Sequence, residues 1–140
     1  MTGALDLADR QALTDLVARY ALAVDTRDFA DLHQVFVPDA TLDTGRAVRT
    51  GMDQITDAMQ GLLRYESTSH LLGQQVVQPT DDGATGITYC TAHHLTVDGD
   101  LRTDTVMQIH YHDRYVRTDD GWRIVTRRLD VRWRDTQPVS

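Results

Sequence analysis

An α+β domain, in which N-terminal helices sit inside a cone-shaped, curved antiparallel sheet, is predicted by three features of this 140-residue chain. Helical periodicity occupies the N-terminal part and disappears at Ser67. Beyond it, the turn signals Asp81-Asp82-Gly83, Asp98-Gly99-Asp100 and Asp119-Asp120-Gly121 divide the chain into four long strand-like segments, a consecutive meander. Helices followed by a run of strands imply helices layered on one face of a sheet. With 41 % hydrophobic and 25 % charged residues the chain suits one core, so a single domain is expected over 1–134, followed by a frayed tail over 135–140.

Leu13, Leu16, Val17, Tyr20 and Val24 fall at helical spacing between Asp9 and Val24, with Arg10, Asp15 and Arg19 on the opposite face. After Asp25-Thr26-Arg27, Asp28 can cap a short second helix carrying Phe29, Leu32, Val35 and Phe36, which Pro38-Asp39 ends. An extended piece, Ala40 to Asp43, turns at Thr44-Gly45 into another that ends at Thr50. Gly51 then introduces a third helix with Ile55, Met59, Leu62 and Leu63 on its apolar face. The strands follow over Ser67–Thr80, Ala84–Val97, Leu101–Thr118 and Trp122–Arg134. In the last of these, Trp122 and Ile124 have one parity and Leu129, Val131 and Trp133 the other, which predicts a bulge near Thr126–Arg128. A sheet bent this strongly leaves a conical hollow, a natural ligand pocket.

Charge and composition narrow the chemistry. A formal charge of −7 with no basic run repels phosphate backbones and anionic membrane surfaces, so neither nucleic acid nor membrane is an expected partner. The chain has no lysine and no asparagine, which excludes a lysine Schiff base and an asparagine oxyanion donor. Cys90 stands alone in a strand pattern and reads as a small core residue. Without a leader-like segment or a span of about 20 apolar residues, a cytoplasmic location is expected.

The candidates for chemistry are few. Asp25 lies at the border of the first helix's apolar stripe, where its carboxylate either faces the mouth of a hollow or caps the following turn. Tyr20 is on the stripe itself and needs a partner for its hydroxyl. Strand alternation puts His70 on one face with Thr68 and Leu72, as a general acid-base candidate or a hydrogen-bonded structural histidine. Of His93-His94, the second shares the smaller, more apolar face with Cys90 and Ala92 and is the inward candidate. His110 and His112 share a face with Gln108 and Arg114 and read as solvent-facing, opposite Met107, Ile109, Tyr111 and Tyr115. No compact metal-ligand motif appears, and no metal or cofactor is expected. The arginines Arg123, Arg127, Arg128, Arg132 and Arg134 read as surface ion pairs or an oligomer interface.

The segments Val17-Ala-Arg-Tyr-Ala-Leu-Ala-Val-Asp25, Asp28-Phe-Ala-Asp-Leu32 and Phe36-Val-Pro-Asp-Ala-Thr-Leu42 resemble the SnoaL-like branch of the nuclear-transport-factor-2-like superfamily. So do Thr50-Gly51, Ser69-His70-Leu71 and Asp113 to Ile124. The resemblance spans nearly the whole chain and implies the cone-shaped fold. Similarity to scytalone dehydratase implies a cavity aspartate at Asp25, a catalytic histidine at His70 and a second near His94, while its two water-holding tyrosines fall on Val24 and Thr44. Similarity to ketosteroid isomerase implies an oxyanion-binding tyrosine at Tyr20, with that enzyme's general base falling on Thr44. The expectation is a cofactor-free lyase or isomerase, dehydratase- or cyclase-like, acting on a small hydrophobic hydroxylated carbonyl compound of polyketide, aromatic or steroid type. A non-catalytic binding protein and a structural subunit, such as the small subunit of a ring-hydroxylating dioxygenase, are the alternatives. The superfamily resemblance also implies a homo-oligomer, a dimer or alternatively a trimer.

Overall fold

A computed structural model describes residues 3–140. Helix α1, Leu7–Asp25, begins with a reciprocal cap: Asp6 Oδ1 accepts the Asp9 N–H at 2.8 Å, and Asp9 Oδ2 accepts the Asp6 N–H at 3.1 Å. This capping box starts the helix two residues before Asp9, where the periodic stretch is expected to begin. At its far end the Arg27 and Asp28 N–H groups reach back to the Val24 and Ala23 carbonyls at 3.2 and 2.9 Å. Arg27 adopts φ +63°, the left-handed residue that such a helix ending requires, so the chain turns sharply just after Asp25.

A 3-10 segment, Phe29–Gln34, follows, and Phe36 already opens strand β1, Phe36–Asp43. The sequence expectation of a helix through Phe36 and a strand from Ala40 is therefore displaced by several residues. Pro38 falls in the exposed stretch of β1 between Phe36 and Thr41, where the ladder with its neighbouring strands is interrupted. Strand β2, Val48–Thr50, pairs antiparallel with β1, and helix α2, Met52–Gln60, buries Met52, Ile55 and Met59. The chain then tightens into a 3-10 turn, Gly61–Arg64, which rotates Leu63 out to solvent, where a continuous α-helix was expected to bury it.

The four long strands are β3 (Ser67–Pro79), β4 (Gly83–Asp98), β5 (Leu101–Thr118) and β6 (Gly121–Pro138). They pair antiparallel in sequence order, and the sheet runs β2-β1-β6-β5-β4-β3. The β1–β6 pair is parallel, so the sheet is mixed rather than wholly antiparallel. Strand β6 also continues through the predicted tail: Thr136 pairs with Thr105 and Pro138 with Thr103. The α1 stripe packs into the sheet's hollow against Ala40, Leu42, Ile109, Tyr111, Tyr115 and Ile124, completing an α+β cone. Cys90 is part of this core. Among the described residues no helix is long and apolar enough to cross a membrane.

Three bulges decide which side chains face inward. In β3 an extra residue between Leu72 and Gln75 keeps Gln75 near α1, where its amide donates to the Leu13 carbonyl at 3.1 Å. In β6 the first bulge falls between Ile124 and Thr126, slightly ahead of the expected position, and moves the inward parity from Trp122 and Ile124 to Arg127 and Leu129. Arg127 is consequently 1 % exposed, a correction to its placement among surface arginines. A second bulge, between Val131 and Trp133, turns Trp133 outward and Arg134 toward the hollow.

Candidate active site

Between the helices and the sheet lies a cavity of about 310 Å³ whose wall includes Tyr20, His70, His94, Met107, Tyr111 and Leu129. A larger hollow of about 660 Å³ lies elsewhere on the sheet, lined by residues such as Asp43, Val76, His112 and Arg128. Only the smaller one brings together Tyr20, His70 and His94.

Asp25 stands behind His70, outside the cavity wall. Its Oδ1 lies 2.7 Å from His70 Nδ1 and accepts the Thr68 hydroxyl at 2.9 Å, while Oδ2 accepts the His70 backbone N–H at 2.8 Å. The helix ending described above sets the carboxylate against β3, and strand alternation presents Thr68 and His70 on the same face. A carboxylate accepts but does not donate, so Nδ1 carries the hydrogen and the lone pair of the neutral ring is on Nε2. Burial works against the Asp25 charge, but the hydrogen bonds from the His70 ring and backbone, with Thr68, outweigh it and hold the carboxyl below its usual pKa.

His94 packs against His70 edge-to-face, with ring centroids 5.9 Å apart, and against Tyr65 at 4.9 Å. Its Nδ1 donates to the Thr105 carbonyl at 3.0 Å, which again leaves Nε2 as the free acceptor. Burial lowers its pKa, and the neighbouring His70 adds to the effect, so this ring resists protonation. The two imidazoles are thus differentiated: a carboxylate backs one, and a neutral carbonyl holds the other.

Tyr20 is 3 % exposed, and its hydroxyl donates weakly to the Met59 sulfur at 3.8 Å. Among the described residues the buried Tyr111 hydroxyl has no hydrogen-bond partner of good geometry, and the Cys90 thiol lies beside it. Burial raises the pKa of both phenols, so both remain donors at neutral pH. Beneath them lies a fully buried ion pair, Arg127 Nε to Asp113 Oδ1 at 2.7 Å and Nη2 to Oδ2 at 2.8 Å. The guanidinium carbon sits 4.3 Å from the Tyr20 ring centre and 4.0 Å from that of Tyr111, a cation–π sandwich that fixes both rings. Burial disfavours the Arg127 charge, but Asp113 reverses this and raises the arginine's pKa above its ordinary value.

The parities of Thr68 and Tyr111 are visible in the sequence, but their hydrogen-bonding states are not. Arg127 shares the parity of Leu129 beyond the predicted bulge, a signal that could have turned it inward, but a charge in an arginine-rich stretch reads as surface. Nor does anything local mark Arg46, Arg64 and Arg134, which reach the cavity mouth from three separate elements.

A SnoaL-like domain matches residues 5–128. The chain belongs to the SnoaL-like family. A relative within that range of similarity is an uncharacterized protein of Mycobacterium tuberculosis, 33 % identical over 132 residues covering 91 % of this chain and 88 % of the relative. Among solved structures, a Kribbella flavida protein superposes with a TM-score of 0.84 at 25 % identity, over 91 % of this SnoaL-like chain and 93 % of that one. A candidate scytalone dehydratase of Novosphingobium aromaticivorans gives a TM-score of 0.83 at 20 % identity, over 96 % and 89 % of the two chains. Hexachlorocyclohexane dehydrochlorinase LinA-type3 of Novosphingobium barchaimii gives 0.81 at 20 %, over 96 % and 92 %. At such identities the last two likenesses speak to the fold of this SnoaL-like protein.

Proposed function

We propose that this SnoaL-like protein is a cofactor-free lyase or isomerase that performs general acid-base catalysis on a small hydrophobic, hydroxylated carbonyl compound of polyketide, aromatic or steroid type. The observation that carries this reading is the Asp25–His70 dyad, whose histidine stands in the wall of a largely apolar cavity. The similarity in fold to a candidate scytalone dehydratase and to a dehydrochlorinase supports a reaction that begins with removal of a proton from carbon.

In this reading His70 Nε2 takes the proton from the carbon next to the substrate carbonyl, and Asp25 stabilises the imidazolium formed. The electron pair of the broken C–H bond moves onto the carbonyl oxygen, giving an enolate that accepts a hydrogen bond from the Tyr20 hydroxyl, whose ring Tyr111 packs against edge-to-face. Collapse of the enolate expels a hydroxyl on the next carbon, which takes the proton from His70 and leaves as water. In an isomerase that same proton returns to a different carbon instead. His94, kept neutral, accepts a hydrogen bond from the substrate hydroxyl and orients it without competing for the proton. The assembly we propose is a homodimer in the cytoplasm.

The test is proton exchange. Incubated in deuterated water with an enolisable cyclic β-hydroxyketone, the protein should catalyse exchange or loss of water, and His70→Ala should lower the rate by about 10²–10⁴-fold. Equal rates for the two proteins across a panel of such ketones would remove His70 from the mechanism.

A further inference from the structure

The cavity has a charge distribution that acid-base catalysis on a neutral ketone does not call for. The chain carries 21 acidic residues against 14 basic ones, yet no aspartate or glutamate lines this cavity, while Arg46, Arg64 and Arg134 do. Five other arginines pair with aspartates: Arg19, Arg114, Arg117, Arg127 and Arg132. Neither Arg46 nor Arg134 makes a side-chain hydrogen bond or ion pair within the described residues.

Separate devices bring the three to one mouth. Arg46 follows Gly45, whose φ of +84° closes the β1–β2 turn and whose N–H is held by Asp43 Oδ1 at 2.9 Å. Arg64 ends the 3-10 turn and is held against the wall, its guanidinium 4.8 Å over the Tyr65 ring and bonded to the Tyr65 hydroxyl at 3.1 Å. Arg134 is turned inward by the second β6 bulge and pairs with Met107, itself a wall residue. The deeper wall is apolar, with Met59, Ile109, Leu129 and Val131. Cations at the rim, oil along the wall and imidazoles beside it describe an amphipathic anion binding with its charge outward.

We propose that the substrate of this site is an organic acid: an apolar ring or chain seated in the cavity, with a carboxylate held at the mouth by Arg46 and Arg134 beside Arg64. This rests on the catalytic reading above for what happens at His70, but the binding preference stands independently of it. Arginine forks pair with carboxylate and phosphate alike, and a carboxylate is chosen over a phosphate because, among the described residues, no helix N-terminus contributes backbone N–H groups to the lining. On a protein of net charge −7, such a rim also offsets the repulsion that an anionic substrate would otherwise meet.

The test uses 1-naphthoate, its neutral isostere 1-naphthamide and 1-naphthyl phosphate, titrated calorimetrically into the full-length protein at low salt. Naphthoate should bind about tenfold more tightly than naphthamide, and the difference should shrink as salt is raised. In the double variant Arg46→Gln/Arg134→Gln the preference should vanish, while naphthamide affinity stays within about twofold, a sign that the cavity is intact. Equal affinity of the native protein for acid and amide, or a preference that survives in the double variant, overturns the proposal. Tighter binding of naphthyl phosphate than of naphthoate overturns the choice of carboxylate. His70→Ala should keep the naphthoate preference, so loss of catalysis and loss of acid recognition are read separately.

Discussion

Asp25 satisfies three donors at once, the Thr68 hydroxyl and both N–H groups of His70. Its removal is therefore not silent for the fold: Asp25→Ala should lower stability by about 1–3 kcal/mol, because the donors it leaves are partly buried. Asp25→Asn keeps a carbonyl acceptor and should be closer to native in a urea melt while still losing most turnover. His94 makes a different prediction. Its folded pKa lies below the roughly 6.5 of an unfolded histidine, so the unfolded chain binds the proton first. The corresponding stability is fully present above that unfolded value and is lost as pH falls through the lowered folded one. The lowered Asp25 pKa acts in a more acidic window, its contribution present above about 3.8 and lost as pH falls through the folded value. Urea midpoints should drop between about pH 7.5 and about pH 5.5, and His94→Gln should flatten that drop; an unchanged slope would mean that another group is responsible.

At the scale of elements, the β4–β5 pairing and the buried Asp113–Arg127 pair set the geometry beneath the site. A Cβ on Gly83 would stand 2.1 Å from the Tyr115 backbone oxygen, where no side chain can yield. Gly83→Ala should therefore force the start of β4 away from β5 and cost about 2 kcal/mol or more, measured by chemical denaturation. Arg127 bridges β6 to Asp113 on β5, and Asp113 in turn accepts the Tyr115 hydroxyl at 3.1 Å. Arg127→Met leaves Asp113 buried without its partner and should cost about 3–5 kcal/mol, whereas the double variant Arg127→Met/Asp113→Leu should recover much of the loss. The sequence shows these strands clearly through turn signals and alternation. Of the bulges it shows the first one in β6, through the parity switch between Ile124 and Leu129, but not the one in β3 or the second in β6, which fall where the flanking residues suit either face.

For the whole molecule, the outer face of the sheet exposes Leu71, Val76 and Trp133 at 67, 58 and 64 % of their surfaces. Leu71 and Trp133 line one shallow groove with Tyr89. Such a patch on a chain this small suits burial against a second copy. Light scattering coupled to size exclusion should find a dimer, and Trp133→Arg should weaken it by at least about tenfold. A native monomer at micromolar concentration would count against the dimer.

The order of helices and strands, the apolar stripe of α1, the inward parities of His70 and His94 and the acidic balance are all fixed by local periodicity and composition. Each follows from a repeat of two or 3.6 residues that neighbours in the chain can display. Tertiary structure alone decided that Asp25 braces His70 from behind, that Arg127 lies buried under two tyrosines, and that three arginines gather at one mouth. These depend on where a helix ending, two bulges and a parallel strand pair bring distant segments together. Such meetings are set by sheet curvature and register, quantities that accumulate over the whole fold and that no short stretch of sequence encodes.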